Sequence, residues 1–129
     1  MLEPLITPVS HYCYNYFHPE PVIMEADPFH EPDPDPDRDP YDANQAIPTL
    51  MFFRQRKQFM ETFPGFNLHA VQRCGLLAAP LSGGFRKWSL IPAWSVPAIN
   101  LLEKALTPVL GPLMGFRMLV ILECRPDQS

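Results

Sequence analysis

Three absences narrow what this chain can be. The cysteines Cys13, Cys74 and Cys124 are odd in number and show no C-x-x-C spacing. That pattern fits reduced thiols in a cytoplasmic protein, with Cys74 and Cys124 in apolar runs where a free thiol behaves as a small hydrophobe. No basic start leads into an apolar stretch, so a signal peptide is not expected. No uncharged run reaches the roughly 20 residues of a spanning helix; residues 88–102 stop at 15 and contain Pro92 and Pro97.

Proline is abundant instead: 17 of 129 residues, more than twice the usual share of about 5%. Charge is unevenly placed. Residues 20–42 hold nine acids and one base (Arg38), a balance of −8, and the rest holds five acids and nine bases, a balance of +4. One acidic loop on a mildly basic body fits this arithmetic, and 47% hydrophobic residues are enough for one packed domain spanning 1–129.

Along the chain, "MLEPLITP" reads as the end of a buried strand and the loop leaving it. Pro8 forces a turn or helix start, and residues 9–17 suit a short helix with Val9, Tyr12 and Tyr16 on one face. Residues 19–41 form an acidic, proline-rich loop, because alternating Asp-Pro cannot donate ladder hydrogen bonds and favours extended backbone. Residues 48–63 predict an amphipathic helix with Phe52, Phe59 and Phe63 on one face, stopped at Pro64-Gly65. Residues 66–79 predict a strand in which Leu68, Ala70 and Gln72 alternate with His69, Val71 and Arg73. Ser95 and Pro97 open a second long helix with the apolar stripe Leu101, Leu102, Ala105, Leu106, Val109 and Leu113, which Pro108 and Pro112 should kink or end. The unbroken apolar run 118–122 predicts a strand buried on both faces. Such a strand demands sheet neighbours and helical cover beyond what this order supplies.

"LEPLITPVSHYCYNYFHPEPV", "DANQAIPTLMFFR", "LSGGF" and "PLMGFRMLVILEC" together resemble the C-terminal part of bacterial class I S-adenosylmethionine-dependent methyltransferases. The resemblance implies an α/β, Rossmann-like sheet, represented by the end of a fifth strand at Leu2-Glu3-Pro4, a long loop, a helix, a sixth strand, a helix and an antiparallel seventh strand beside the fifth. The glycine-rich cofactor motif of that family is absent, as are its acidic ribose ligand and the residues after its fourth strand. The Gly83-Gly84 pair precedes "FRKWS" and lacks the strand-to-helix context of a nucleotide loop. S-adenosylmethionine therefore belongs to the complete parent enzyme, and this chain alone is expected to be inactive. Its partners would be the missing N-terminal half, or further copies through self-association.

Open sheets of this type bind ligands beyond the carboxyl ends of their strands. Glu3, His11, Tyr14 and His18 follow that position and are candidates for substrate contact, a histidine being able to serve as base. Asn44 and Gln45, an amide pair at a helix mouth, could bind a polar substrate or cap their own helix. The spacing of His11, Cys13 and His18 matches no zinc pattern. Asp33, Asp35, Asp37 and Asp39 imitate a calcium loop, but Arg38 stands at its glycine and Asn44 at its glutamate. Arg54, Arg56 and Lys57 read as a solvated helix face, so nucleic acid is not expected. The competing reading is a non-enzymatic module that docks on a partner or on a membrane surface through residues 88–116.

Overall fold

The last strand is the middle of the sheet. The structure, a computed structural model, describes residues 1–30, 43–83 and 89–125. Strands β1 (Leu2–Pro4), β2 (Phe66–Cys74) and β3 (Arg117–Cys124) lie in the order β1-β3-β2, with β3 antiparallel to both neighbours. The two edge strands therefore run parallel to each other. Five α-helices accompany them among the described residues: α1 (Pro8–Phe17), α2 (Ile47–Thr49), α3 (Arg56–Thr62), α4 (Ala78–Leu81) and α5 (Val96–Met114). The protein is thus a mixed α/β structure with a small antiparallel sheet. About half of the acidic loop, including the four alternating aspartates, lies outside the described residues, as do Gly84 and Trp88.

The core sits on one sheet face, where Leu5, Phe52, Phe59, Leu68, Met118 and Val120 pack together. The rings of Phe52 and Phe59 meet edge-on at 5.1 Å. Met118 and Val120 are 0% exposed, but Leu119 and Ile121 are 38% and 40% exposed. The expected burial on both faces is therefore wrong. The run is apolar throughout, yet the residues that alternate toward the other face join Leu2, the partner of Leu119, in open solvent.

Three further features differ from the sequence expectation. The helix over 48–63 is interrupted by a π-helical turn, Leu50–Arg54, closed by the Gln55 N–H on the Leu50 carbonyl at 2.8 Å. The extra residue per turn still brings Phe52 and Phe59 into the core but leaves Phe63 exposed. The strand over 66–79 ends at Cys74, because Gly75 takes φ +71° and turns the chain into α4, burying Leu76 beneath it. Within β2 a bulge between Leu68 and Ala70 resets the alternation, so Leu68, Val71 and Arg73 pair with Leu122, Val120 and Met118 on the same face.

The sequence places α1 well. Pro8 is in its first turn, Thr7 is its N-cap, and Thr7 and Ser10 close a reciprocal capping box. Its buried side is Ser10 and Tyr14, whereas the Val9, Tyr12 and Tyr16 face is the exposed one. In α5, Pro108 and Pro112 remain inside the helix, which continues to Met114. The Thr107 hydroxyl donates to the Glu103 carbonyl at 2.7 Å, in the turn leading to Pro108. Of the cysteines, Cys13 and Cys74 are half-buried, but Cys124 is exposed rather than part of the core, and all three are free thiols.

Candidate functional site

The turn from β1 to α1 is the place where a ligand-binding crossover would offer backbone N–H groups. Here each of those groups is already used. Leu5 N–H donates to the Phe116 carbonyl at 3.0 Å, Ile6 N–H to the Thr49 hydroxyl at 2.8 Å, and Thr7 N–H to the Ser10 hydroxyl at 2.8 Å. Ser10 N–H returns to the Thr7 hydroxyl at 3.3 Å, and the Ser10 hydroxyl donates to the Leu5 carbonyl at 2.6 Å. This turn also contains no glycine, so a phosphate or a nucleoside cannot approach its backbone closely. The N–H groups of Leu5, Ile6 and Thr7 are thus all committed to protein acceptors.

Downstream, five polar side chains make one group. The Tyr14 hydroxyl donates to the Phe116 carbonyl at 2.8 Å, and its ring meets the His18 ring edge-on at 5.7 Å. His18 Nδ1 accepts the Glu20 backbone N–H at 3.3 Å. The Gln45 side-chain amide donates to the Glu20 carboxylate. Asn44 stands beside Gln45 and clips Ile23 from both sides: its Oδ1 accepts the Ile23 N–H at 2.9 Å and its Nδ2 donates to the Ile23 carbonyl at 2.8 Å. The same Oδ1 accepts the Ala46 N–H at 3.0 Å at the entrance to α2.

Of the six residues singled out in the sequence, the structure thus gathers Tyr14, His18, Asn44 and Gln45 around residues 20–23. Glu3 is half-buried in β1 opposite Met118, and His11 is half-buried on α1, and the side-chain hydrogen bonds described above for the group include neither. Glu20 is the member that the sequence did not reveal. Its partner Gln45 is 25 residues away, and nothing local marks the pair.

The arrangement constrains the chemistry. With Nδ1 accepting a hydrogen bond, the neutral His18 ring carries its proton on Nε2. The lone pair that a general base needs is then turned toward Glu20, and Nε2 is a donor. The amides of Asn44 and Gln45 are likewise spent on protein partners. Burial raises the Tyr14 phenol above its ordinary value; a nearby Arg117 partly opposes this and Cys13 adds to it.

A second polar place lies between β2 and α5, an open groove of about 580 Å³ lined by Gln72, Arg73, Cys74, Asn100, Glu103, Lys104 and Thr107, among others. Glu103 is committed to structure. Its carboxylate accepts the N–H groups of Gly75 at 2.7 Å, Leu77 at 3.0 Å and Ala78 at 2.9 Å. Burial pushes its carboxyl up, but these hydrogen bonds outweigh that and hold it below its ordinary value. The Arg73 guanidinium lies over the Phe53 ring, 4.9 Å from its centroid. Burial pushes the Cys74 thiol above its ordinary value, which disfavours the thiolate.

Among the described residues no group of three His, Cys, Asp or Glu side chains could hold a metal ion, and no helix is long and apolar enough to cross a membrane. No family model, no characterised protein and no solved structure matches the chain.

Proposed function

We propose that the chain is the C-terminal, substrate-side part of an S-adenosylmethionine-dependent methyltransferase, acting in its parent on a small-molecule or lipid-type acceptor. The observation that carries this reading is the sheet order: the last strand enters between β1 and β2, antiparallel to both. The resemblance implies an antiparallel seventh strand beside the fifth, and β3 lies beside β1 in that way. The filled β1–α1 turn supports a division of labour in which cofactor contacts lie elsewhere. In this chain Tyr14, His18, Asn44 and Gln45 would shape the acceptor side by holding residues 20–23 against α1 and α2. They act as positioning groups rather than as a base.

Two measurements test it. Calorimetric titration of the isolated chain with S-adenosylmethionine is expected to show no binding; micromolar affinity would overturn the division of roles. The coding DNA upstream of Met1 is expected to encode a glycine-rich strand–turn–helix segment, in frame or one frameshift away. Intact upstream DNA without such a segment sinks the methyltransferase reading.

The second reading, an interaction module, is favoured by a specific observation. Large apolar side chains on α1 and α5 face solvent: Tyr12, Tyr16 and Phe17 on the first, Leu101, Leu102, Val109 and Leu113 on the second.

A further inference from the structure

The backbone of β3 alternates between its two neighbours, and that alternation fixes what β2 leaves open. Met1 and Val120 exchange both of their backbone hydrogen bonds, at 2.7 and 2.8 Å, and Leu5 N–H donates to the Phe116 carbonyl at 3.0 Å. Phe116, Met118 and Val120 therefore turn their peptide groups toward β1, and Arg117 and Leu119 turn theirs toward β2. The partners of these two are Cys74 and Gln72. Val71 and Arg73 consequently point their N–H and carbonyl groups away from β3, and among the described residues no donor or acceptor meets them. Lower on the same edge the Arg56 guanidinium donates to the Leu68 carbonyl at 3.0 Å, so the chain covers its own edge there and not at Val71.

This open stretch is one wall of the groove between β2 and α5. Successive residues of a strand alternate between faces, so a cavity lined by Val71, Gln72, Arg73 and Cys74 together runs along the strand's edge. The facing wall is one side of α5: Asn100, Glu103, Lys104, Thr107 and Pro108 recur at helical spacing. A slot between an edge strand and a helix suits an added strand, which main-chain hydrogen bonds hold and side chains select.

The side chains set the sign of the charge it takes. The Arg73 guanidinium lies over Phe53, and neither it nor Lys104 has a carboxylate partner among the described residues. Glu103, the acid in the wall, is spent on the N–H groups of Gly75, Leu77 and Ala78. A second copy of β2 would bring another Arg73 into the slot, like charge against like. An acidic strand supplies what both cations lack.

We infer that the slot between β2 and α5 is a docking site for an extended acidic segment of a partner protein, which adds to the sheet beside β2. Its backbone pairs with Val71 and Arg73, and its carboxylates meet Arg73 and Lys104. Val71 to Cys74 spans about 10 Å, so about three or four partner residues make the contact. The inference is independent of the methyl-transfer reading.

A fluorescein-labelled hexapeptide that alternates valine with glutamate is the probe, followed by anisotropy and by amide hydrogen exchange of the whole chain. In the free chain the Val71 and Arg73 amides are expected to exchange at least tenfold faster than those of Gln72 and Cys74. Saturating peptide is expected to remove that difference. Putting lysine for glutamate in the peptide, or N-methylating its amides, is expected to weaken binding at least tenfold while leaving the protein untouched. The Arg73→Gln/Lys104→Gln double variant is expected to lose a similar factor. So is Val71→Pro, which removes an outward N–H and no ladder bond. No binding at millimolar peptide overturns the inference, as does equal binding by the lysine or the N-methylated peptide. Val71 and Arg73 amides already protected in the free monomer overturn it too. A dimer that Val71→Pro disperses gives the edge to a second copy and overturns it as well.

Discussion

Tyr14 donates its phenolic hydrogen to the Phe116 carbonyl across 102 residues of sequence, at 2.8 Å. That carbonyl also accepts the Leu5 N–H, so one oxygen joins the end of β1, the middle of α1 and the entry to β3. Tyr14→Phe removes one of its two partners. Because Leu5 still satisfies the oxygen, the expected loss is near the low end for a buried hydrogen bond, about 1 kcal/mol, measured by denaturant unfolding.

The same residue gives a pH signature. Its folded-state value lies above 10.0, because of burial first. Between the unfolded and folded values the native state holds a proton that the unfolded chain has released, so stability falls as pH rises through that window. Unfolding midpoints taken upward from pH 10 are expected to drop more steeply for the native sequence than for Tyr14→Phe.

Glu103 gives the opposite sign. Its folded value lies below 4.5, so its contribution is full above 4.5 and is lost as pH falls through the folded value. Glu103→Gln offers one acceptor oxygen where two served three N–H groups. The variant is expected to be less stable at neutral pH by about 1–3 kcal/mol, with a flatter acid limb in a melting-temperature series.

Adjacent residues of β3 should respond in opposite ways. Met118→Ala opens a cavity at a fully buried site and is expected to cost about 2–5 kcal/mol. Leu119→Thr changes the open face and is expected to stay within about 0.5 kcal/mol while raising the concentration at which the chain precipitates. Chemical denaturation and a solubility titration separate the two.

Much of this architecture is readable from the residues. Pro8 and Thr7 announce α1, and the run Met118 to Leu122 announces a strand, because local chemistry decides both. The exposure of Leu119 and Ile121 is not readable: an apolar run says that a strand can be covered twice, not that a second cover is there. The π turn is hidden because Phe52 and Phe59 share a face with or without the extra residue. The bulge in β2 changes which neighbours share a side without changing the composition that marks a strand. In the candidate site, the amides of Asn44 and Gln45 advertise themselves at a helix mouth, but their partners Ile23 and Glu20 come from 21 and 25 residues earlier. Glu103 sits in an apolar helix as an ordinary exposed acid would, and only the turn after Gly75 gives it three donors.

The central place of β3 also sets an order in time. During synthesis β1 leaves the ribosome before β2, and β3, the strand that pairs with both, follows them; the Met1 amino group meets the Val120 carbonyl across 119 residues. The chain must close a loop of nearly its whole length before the β1–β3 ladder forms. Until then α1 holds its capping box, while Leu2, Leu5 and the first residues of β2 wait without neighbours. Such nonlocal pairing folds slowly, and this interval of waiting is when a chaperone, or another unfinished chain, would find the protein most receptive.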